Sequence, residues 1–292
     1  MAAKRTFIGF VGQGYVGKNY ADDFESRGFK TVRYSLEEPY RDNKNKIQDC
    51  DVVFIAVPTP STPKGFDLGI VDAALALVGK GKIAVIKSTI TPGSTRALQK
   101  KNPKVTVLFC PEFLSVATAR HDVENPFLNA VGMPQNSPRH KQAAALVLSI
   151  LKKAPENFSC TSDEAELIKY AHNISGYMQI LTFNTLYDVA EKLRANWSPI
   201  QRAIESDPLV CNRYANPLHK GGRGAGGFCF IKDMVAFAQS YERLVRDADG
   251  IAFLKAAQKK NVALLVNSKK DLDLLRGVYG AAAIGKKGRK GR

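Results

Sequence analysis

One cysteine of this 292-residue chain has neighbours suited to nucleophilic chemistry. Cys229 follows a segment rich in glycine, residues 221–227, and precedes Lys232 and Asp233. Glycines let a backbone close around a bound group, so the amides of this segment could donate to an oxyanion or to a substrate phosphate. A nearby ammonium favours the thiolate, which is the nucleophilic form of cysteine. The pattern predicts a reactive thiol, and the alternative is a flexible loop with a buried one.

A lysine and an asparagine form a second candidate group. Lys169 and Asn173 are four residues apart in a stretch with helical periodicity, so they share one helix face. That face lies roughly opposite an apolar stripe that includes Leu167, Ala171 and Ile174. Two polar groups so placed can hold one oxygen atom between them. The alternative is a solvated helix surface.

Three glycines near the start of the chain have the spacing of a phosphate-binding turn. Gly12, Gly14 and Gly17 stand between an apolar run and a helical stretch. The first glycine permits the turn, the second lets the backbone approach a pyrophosphate, and the third lets helix and strand pack closely. The start of the helix then offers amide donors to the phosphates. The pattern predicts a dinucleotide site, and a plain glycine-rich turn is the alternative.

The position that should read the ribose of a dinucleotide does not carry an acid. Ser35 stands there, with Arg33 before it and Glu37 and Glu38 after it. An acid at this position favours NAD, whereas a nearby arginine accommodates the extra phosphate of NADP. We expect NAD as the cofactor, and NADP stays open.

The elements that must position these residues begin with a sheet. The first half of the chain alternates short apolar runs with helical stretches, which is typical of a parallel sheet wrapped by helices. The predicted strands are residues 7–11, 31–34, 52–57, 83–87 and 105–109, and the predicted helices include 17–27, 68–78 and 140–153. We therefore predict an α/β fold whose first domain, residues 1–155, is a Rossmann-like, doubly wound parallel sheet.

A long helix should dominate the rest of the chain. Thr161 and Glu164 have the spacing of a capping box, and no proline follows before about Arg194. We predict a helix of roughly thirty residues as the spine of an all-helical central domain, residues 156–280, which also carries the cysteine loop. A helix of this length favours a homodimer. Residues 281–292 form a basic tail that we expect to be disordered.

Composition limits the partners that we expect. The sequence has no run of eighteen apolar residues and no recognisable signal peptide, which favours a cytoplasmic protein that does not span a membrane. Its five cysteines are scattered without a CxxC pair, which favours reduced thiols over disulfides or a metal site. The net charge of +16 would suit nucleic acid, but no nucleic-acid motif accompanies it, and a diphosphate substrate would suit it equally.

Six motifs together resemble the UDP-glucose/GDP-mannose dehydrogenase family, in the family's order and spacing. They are Gly12-x-Gly14-Tyr15-Val16-Gly17, Val57-Pro58-Thr59-Pro60, Lys87-Ser88-Thr89 with Pro92-Gly93, Pro111-Glu112-Phe113-Leu114, Glu166-Leu167-Ile168-Lys169-Tyr170 with Asn173, and the Cys229 loop. The resemblance implies an NAD-dependent oxidoreductase that oxidises the C6 alcohol of a nucleotide sugar, UDP-glucose first, to a carboxylate in two steps.

The resemblance also implies a role for each matching residue. Cys229 would trap the intermediate aldehyde as a thiohemiacetal, and a second oxidation would give a thioester that water hydrolyses. The other catalytic residues implied are Lys169 and Asn173 for the oxyanion, Glu112 for activating water, and Thr89 and Asp233 for positioning it. Those implied at the cofactor are Gly12, Gly14, Tyr15, Val16, Gly17, Ser35, Val57, Thr59, Ser88, Thr89 and Lys232. Those implied at the substrate are Glu112, Phe113, Leu114, Lys169, Asn173, Arg213, Lys220, Gly224 and Gly226.

Length is the main departure from the family. Full-length members carry a third domain that holds the nucleotide base, and this sequence ends shortly after the predicted central domain.

Two other classes of protein stay open as alternatives. A β-hydroxyacid dehydrogenase joins the same kinds of domain but makes one two-electron oxidation and needs no thiol. A non-catalytic binding or partner protein would use the basic surface, and it would reduce no cofactor in response to a sugar.

Overall fold

The computed structural model of the chain describes residues 6–63 and 65–284. The described chain forms two compact units. The first runs to Thr59 and resumes from Asp67 to Lys169, and the second comprises Pro60–Phe66 and the chain from Tyr170 onwards. Most of the predicted basic tail, residues 285–292, lies outside the described residues. Ala281–Ile284, which we assigned to that tail, form a 3₁₀ helix instead.

The strands and helices have the following bounds. The strands are β1 (Ile8–Val11), β2 (Thr31–Tyr34), β3 (Val52–Ile55), β4 (Ser61–Thr62), β5 (Gly65–Phe66), β6 (Ile83–Ile86), β7 (Thr106–Phe109), β8 (Leu128–Met133) and β9 (Glu156–Thr161). The helices are α1 (Tyr15–Ser26), α2 (Gly69–Leu75), α3 (Ser94–Lys101), α4 (Ala119–Glu124), α5 (Pro138–Ile150), α6 (Ser162–Lys192), α7 (Trp197–Ser206), α8 (Gly227–Leu244), α9 (Ala248–Asn267) and α10 (Leu272–Tyr279). A 3₁₀ helix, Arg41–Asp49, lies between β2 and β3.

The first unit is built on a seven-stranded sheet in the order β2-β1-β3-β6-β7-β8-β9. Its first five strands run parallel, and each neighbour is reached through a crossover. The aromatic rings of Phe10 on β1 and Phe54 on β3 stack at 5.4 Å, and Phe24 of α1 packs against both. Burial on both faces explains why these strands are continuous apolar runs. The predicted α/β fold with a Rossmann-like sheet is confirmed.

The far edge of the sheet differs from our prediction. β8 pairs antiparallel with β7, and β9 pairs parallel with β8, so residues 156–161 belong to the sheet. The predicted domain boundary after residue 155 would separate β9 from its neighbour, and the first unit instead continues to Lys169. β9 is an edge strand with the sequence ENFSCT, and it is largely exposed. A strand that buries so little apolar surface has no hydrophobic pattern to reveal it.

The second unit contains the later part of α6 and the helices α7 to α10. Its core joins Tyr177 and Leu181 of α6 to Met234 of α8 and Leu254 and Leu264 of α9. It also includes the two-stranded antiparallel ribbon of β4 and β5, so the predicted all-helical composition needs this correction. None of the described helices has the length and apolarity needed to cross a membrane.

The predicted long helix is confirmed as α6, which has 31 residues. Its capping box is formed as expected. The backbone amide of Thr161 donates to Glu164 Oε2 at 2.7 Å, and the amide of Glu164 donates to Thr161 Oγ1 at 3.3 Å. These reciprocal bonds satisfy amides that a helix start leaves without partners.

The first turns of α6 expose apolar side chains and bury polar ones. Leu167 is 48% exposed and Ala171 is exposed, whereas Glu166, Lys169 and Asn173 on the other face are buried. Burial of polar groups is tolerated when each finds a partner. Each of these three does, as their contacts below show, so the polar face of this part of α6 is an interior face.

Candidate functional site

The glycine turn after β1 has the geometry that its motif requires. Gly12 has φ +93°, and a side chain on it would place a Cβ 2.2 Å from the carbonyl oxygen of Ala56. A Cβ on Gly17 would lie 1.9 Å from the carbonyl oxygen of Gly12. By contrast, a Cβ on Gly14 would meet no protein atom within 4 Å. The first and third glycines therefore serve packing, and the second faces open space at the start of α1, where Tyr15 is the first helical residue.

Predicted cofactor residues meet at the carboxyl ends of β3 and β6. Ser88 Oγ donates to the carbonyl oxygen of Val57 at 2.7 Å and lies 2.9 Å from its amide nitrogen. Thr59 Oγ1 donates to the carbonyl oxygen of Thr89 at 2.8 Å. Since β3 lies between β1 and β6 in the sheet, these four residues share the sheet edge on which the glycine turn lies. Ligands of open α/β sheets bind at this edge.

The contacts of Ser35 and Arg33 bear on the choice of dinucleotide. Ser35 follows β2, and its Oγ donates to the carbonyl oxygen of Glu37 at 2.8 Å. The guanidinium of Arg33 is buried and bound by carboxylates on α1, with Nε 2.8 Å from Glu25 Oε1 and NH2 2.7 Å from Asp22 Oδ1. An added phosphate would have to compete with two carboxylates for this arginine. The arrangement therefore favours NAD over NADP.

Two predicted catalytic residues of the first unit contact each other. Lys169 Nζ donates to the backbone oxygen of Glu112 at 2.6 Å and lies 3.3 Å from its Oε1. The other carboxylate oxygen of Glu112 accepts a bond from the amide of Leu114 at 2.7 Å. The Phe113 ring lies 5.3 Å from the lysine nitrogen. The segment after β7 therefore presents a buried carboxylate, and α6 presents a buried lysine that holds it in a fixed position.

The thiol of the second unit lies in the first turn of α8. Cys229 is the third residue of this helix and is half-buried. One turn further, Asp233 forms a buried ion pair with Lys232. Asn173 of α6 donates through Nδ2 to Asp233 Oδ2 at 2.6 Å. The lysine that we expected at the cofactor therefore has an acidic partner in the chain, and Asp233 accepts bonds from two elements.

The glycine-rich segment before Cys229 is held by side chains from the end of α9 and the start of α10. Three alternate amides donate to these side chains: Arg223 N to Ser268 Oγ at 3.0 Å, Ala225 N to Asn261 Oδ1 at 2.7 Å, and Gly227 N to Asp271 Oδ2 at 2.7 Å. We expected such amides to face a bound oxyanion or phosphate. These three are bound within the chain, so that expectation does not hold for them.

The two glycines that we expected at the substrate make room for those side chains. A Cβ on Gly224 would lie 3.0 Å from Asn261 Oδ1, and one on Gly226 would lie 2.1 Å from Asp271 Oδ2. Asn261 and Asp271 were not among the predicted site residues. In the sequence, Asn261 is one polar position in a predicted helical stretch, and Asp271 is one of several polar residues near a helix end. Neither pattern indicates a contact with residues 225 and 227, which only the fold brings close.

The remaining predicted substrate residues lie between α7 and α8. Arg213 and Lys220 are both exposed in this connection, and Lys220 has a left-handed backbone with φ 50°. Residues on either side of Lys220, His219 and Gly222, exchange backbone hydrogen bonds in a tight turn. Both cations are therefore presented to the outside of their unit. Within the described ranges, no cluster of three histidine, cysteine or acidic side chains forms a metal site.

Comparison with known proteins identifies the family. A model of the NAD binding domain of the UDP-glucose/GDP-mannose dehydrogenase family matches residues 33–147, and a model of the family's central domain matches residues 163–263. The chain belongs to this family. Its first unit thus contains the family's NAD binding domain, which confirms NAD as the predicted cofactor, and its second unit contains most of the central domain.

Two individual relatives are named as UDP-glucose 6-dehydrogenases. UDP-glucose 6-dehydrogenase of Rhizobium meliloti is 34% identical over 222 residues, which cover 70% of this chain and 50% of that protein. Putative UDP-glucose 6-dehydrogenase YtcA of Bacillus subtilis is 30% identical over 206 residues, covering 66% of this chain and 46% of that protein. The chain therefore spans about half the length of these curated relatives.

Solved structures support the same fold. A UDP-glucose dehydrogenase from Pyrobaculum islandicum superposes with a TM-score of 0.75 at 26% identity, covering 91% of this chain and 71% of that chain. A 3-hydroxyisobutyrate dehydrogenase from Mycobacterium tuberculosis superposes with a TM-score of 0.66 at 16% identity, covering 95% of this chain and 99% of that one. The second likeness shows a shared fold alone, because its identity is so low.

Proposed function

We propose that the chain is an NAD-dependent nucleotide-sugar dehydrogenase that oxidises the sugar C6 alcohol to a carboxylate through a covalent intermediate on Cys229. The observation that carries this proposal is the position of the thiol. It lies in the first turn of α8, on the helix whose buried Lys232–Asp233 pair is tied to Asn173. Such a network can hold a nucleophile in place, and the rival single-step oxidation has no use for one.

The proposed reaction has three stages, and a covalent bond to Cys229 is present only in the second and third. The alcohol first loses a hydride and a proton to give an aldehyde. The sulfur of Cys229 then adds to the aldehyde carbon, and loss of a second hydride and proton from the thiohemiacetal gives a thioester. Water cleaves the C–S bond, which releases the carboxylate and restores the thiol. Covalent capture divides a four-electron oxidation into smaller steps and retains the reactive aldehyde.

Other residues of the chain would support these stages. Lys169 and Asn173 are proposed to stabilise the oxygen that becomes negative during addition and hydrolysis. Glu112 is proposed to take a proton from the attacking water, with Thr89 and Asp233 positioning that water. In support, both Lys169 and Glu112 are buried and in mutual contact, so neither would need to be ordered at the moment of reaction.

The cofactor fits the residues of the first unit. NAD, when bound, supplies the acceptor for both hydrides. The open space at Gly14 and the amide donors at the start of α1 suit a pyrophosphate. Val57, Thr59 and Ser88 would line the neighbouring strand ends, and Arg33 is engaged by carboxylates that an additional phosphate would have to displace.

UDP-glucose is the first substrate to test, because the relatives from Rhizobium meliloti and Bacillus subtilis carry that name. Arg213 and Lys220 are proposed to bind its diphosphate, since both present exposed cations.

We also propose a homodimer formed through the end of α6. Leu186 and Val189, with Leu193 just after the last helical residue, are 49%, 55% and 74% exposed, and they form an apolar surface suited to a partner helix.

The test is a panel of nucleotide sugars with NAD or NADP, following absorbance and product charge. We expect two NADH per sugar and a carboxylate product from the wild type, and no carboxylate from Cys229→Ser. Cys211→Ser is the control, because Cys211 is an exposed thiol of the same unit outside the proposed site. One NADH per substrate, or a full carboxylate yield from Cys229→Ser, would exclude the covalent mechanism.

A further inference from the structure

We infer that Asn261 and Asp271 are positioning residues for Cys229, because they fix the backbone of the glycine-rich segment that leads into α8. The inference rests on the proposed function, in which Cys229 is the nucleophile. It concerns side chains that the expected catalytic and binding sets do not include. All the contacts that support it lie within the second unit.

Asn261 holds the segment at Ala225 by two hydrogen bonds. Its Oδ1 accepts from the amide of Ala225 at 2.7 Å, and its Nδ2 donates to the carbonyl oxygen of the same residue at 3.0 Å. The asparagine is 2% exposed and Ala225 is fully buried. The side-chain amide thus satisfies both polar groups of a buried residue, as a neighbouring strand would. Without it, both groups would be buried and unsatisfied, which is costly.

Asp271 holds the segment at Gly227, the first residue of α8. Its Oδ2 accepts from the amide of Gly227 at 2.7 Å, and it makes no side-chain cap bond to its own helix, α10. Asp271 has a left-handed backbone with φ 53°, a conformation that costs free energy in a residue other than glycine. A carboxylate at a helix start is favoured by the helix dipole. The contact therefore stabilises the turn of α8 that carries Cys229.

Further bonds fix the same segment. Lys270 Nζ donates to the carbonyl oxygen of Gly224 at 3.0 Å. Arg223 reaches α6, where its Nε donates to Asn184 Oδ1 at 2.9 Å and its NH2 pairs with Asp188 Oδ1 at 2.6 Å. The segment is thus bound to α6, to α9, and to the residues that lead into α10. Glycines allow this approach, and the side chains remove the freedom that the glycines would otherwise give the backbone.

The consequence concerns the position of the thiol. Cys229 comes two residues after Gly227. A change in the backbone conformation of this segment therefore displaces the sulfur atom. A displacement of about 1 Å at a reacting group can lower a rate by about 100-fold. We therefore expect loss of Asn261 or Asp271 to slow the chemical step more than it weakens substrate binding.

The experiment compares Asn261→Ala, Asp271→Ala and Asp271→Asn in the full chain. Asn at position 271 keeps an oxygen that can accept from Gly227, so it should restore part of what Ala loses. Asp247→Asn is the matched control, because Asp247 also accepts from amides at a helix start, that of α9, away from the cysteine segment. Two quantities are measured: the iodoacetamide alkylation rate of Cys229 relative to exposed Cys211, and kcat and KM with UDP-glucose and NAD.

We expect Asp271→Ala to raise the relative alkylation rate of Cys229 about fivefold, the factor that loss of one hydrogen bond of about 1 kcal/mol gives. Asn261→Ala loses two hydrogen bonds, so its rate should rise by at least as much. We expect kcat to fall by about 10- to 100-fold while KM changes by less than about threefold. Asp271→Asn should lie between wild type and Asp271→Ala, and Asp247→Asn should match wild type. An unchanged alkylation ratio in both alanine variants would overturn the inference, as would a changed ratio with wild-type kcat.

The two proposals fail in different ways. If the wild-type chain oxidises no sugar of the panel, the proposed function is wrong, and the alkylation ratio alone still decides whether these side chains hold the thiol. If the wild type is active and Cys229→Ser retains full activity, the thiol is not the nucleophile and the inference falls with it.

Discussion

Glu166 is a buried carboxyl group that joins α6 to the start of α3. Its Oε2 accepts from the amide of Gly93 at 2.6 Å, and its Oε1 accepts from the amide and the hydroxyl of Thr95 at 2.8 Å and 2.6 Å. Burial raises the pKa of Glu166 to about 7, against the opposing effect of these hydrogen bonds, and the nearby charge of Asp163 adds to the rise. The group therefore titrates near neutral pH.

This pKa predicts a pH dependence of stability. A carboxyl whose pKa is higher in the folded than in the unfolded chain binds more protons when folded, so its contribution is present at low pH and lost as pH rises. The loss should develop between 4.5, the ordinary pKa of a glutamate, and about 7, and amount to about 3 kcal/mol. Urea unfolding of wild type and Glu166→Gln from pH 4.5 to 8 measures it. We expect the free energy of unfolding to fall more with pH in the wild type, and parallel curves would contradict the assignment.

At the scale of elements, the capping box of α6 allows a direct test of local stability. Thr161→Ala removes the hydroxyl that accepts from the amide of Glu164, and loss of such a cap costs about 1 kcal/mol. Thr182→Ala is the matched control, since Thr182 is exposed within the same helix and its hydroxyl bonds to the carbonyl oxygen of Met178. Denaturant unfolding should show a loss for the first variant and little change or a small gain for the second. Equal losses would show that the cap contributes nothing specific.

The sequence predicted the elements whose signal is local. The five buried parallel strands appear as apolar runs, and α6 has a capping box at its start and no proline within it, so their positions agree closely with the structure. β8 and β9 were missed. β9 is an exposed, polar edge strand, and pairing with β8, not its own side chains, makes it a strand.

The faces of the elements were harder to predict than their positions. For the face of α6 that carries Lys169 and Asn173, a solvated helix surface was the alternative to a binding role, and both side chains are in fact buried. The helical periodicity alone does not show which face is covered, since Leu167 of the apolar stripe is 48% exposed. Partners far along the chain decide this, since Lys169 binds Glu112 and Asn173 binds Asp233. Distant partners also decide the conformation of the glycine-rich segment. Its composition indicated backbone freedom, and side chains beyond residue 260 remove that freedom.

At the scale of the whole molecule, the net charge opposes self-association, whereas the exposed apolar surface of α6 favours it. The chain has 43 basic and 27 acidic residues, a net charge of +16, so two copies repel each other before they touch. Salt screens this repulsion over about 10 Å at 0.1 M. If α6 forms the interface of a homodimer, raising the salt concentration should therefore strengthen association. Binding to nucleic acid would show the opposite dependence, because it weakens steeply with salt.

The homodimer can be tested on the apolar side at the end of α6. Val189→Lys with Leu193→Lys places two further charges on a surface whose side chains are 55% and 74% exposed. Each apolar side chain buried at an interface contributes on the order of 1.5 kcal/mol, so the double variant should weaken dimerisation by more than about 100-fold. Leu209→Lys is the control, because Leu209 is 93% exposed outside α6. Sedimentation should give twice the 32.0 kDa chain mass for wild type and control, and one chain mass for the double variant. A dimer that survives both lysines, or a wild type that stays monomeric at high salt, would exclude this face as the interface.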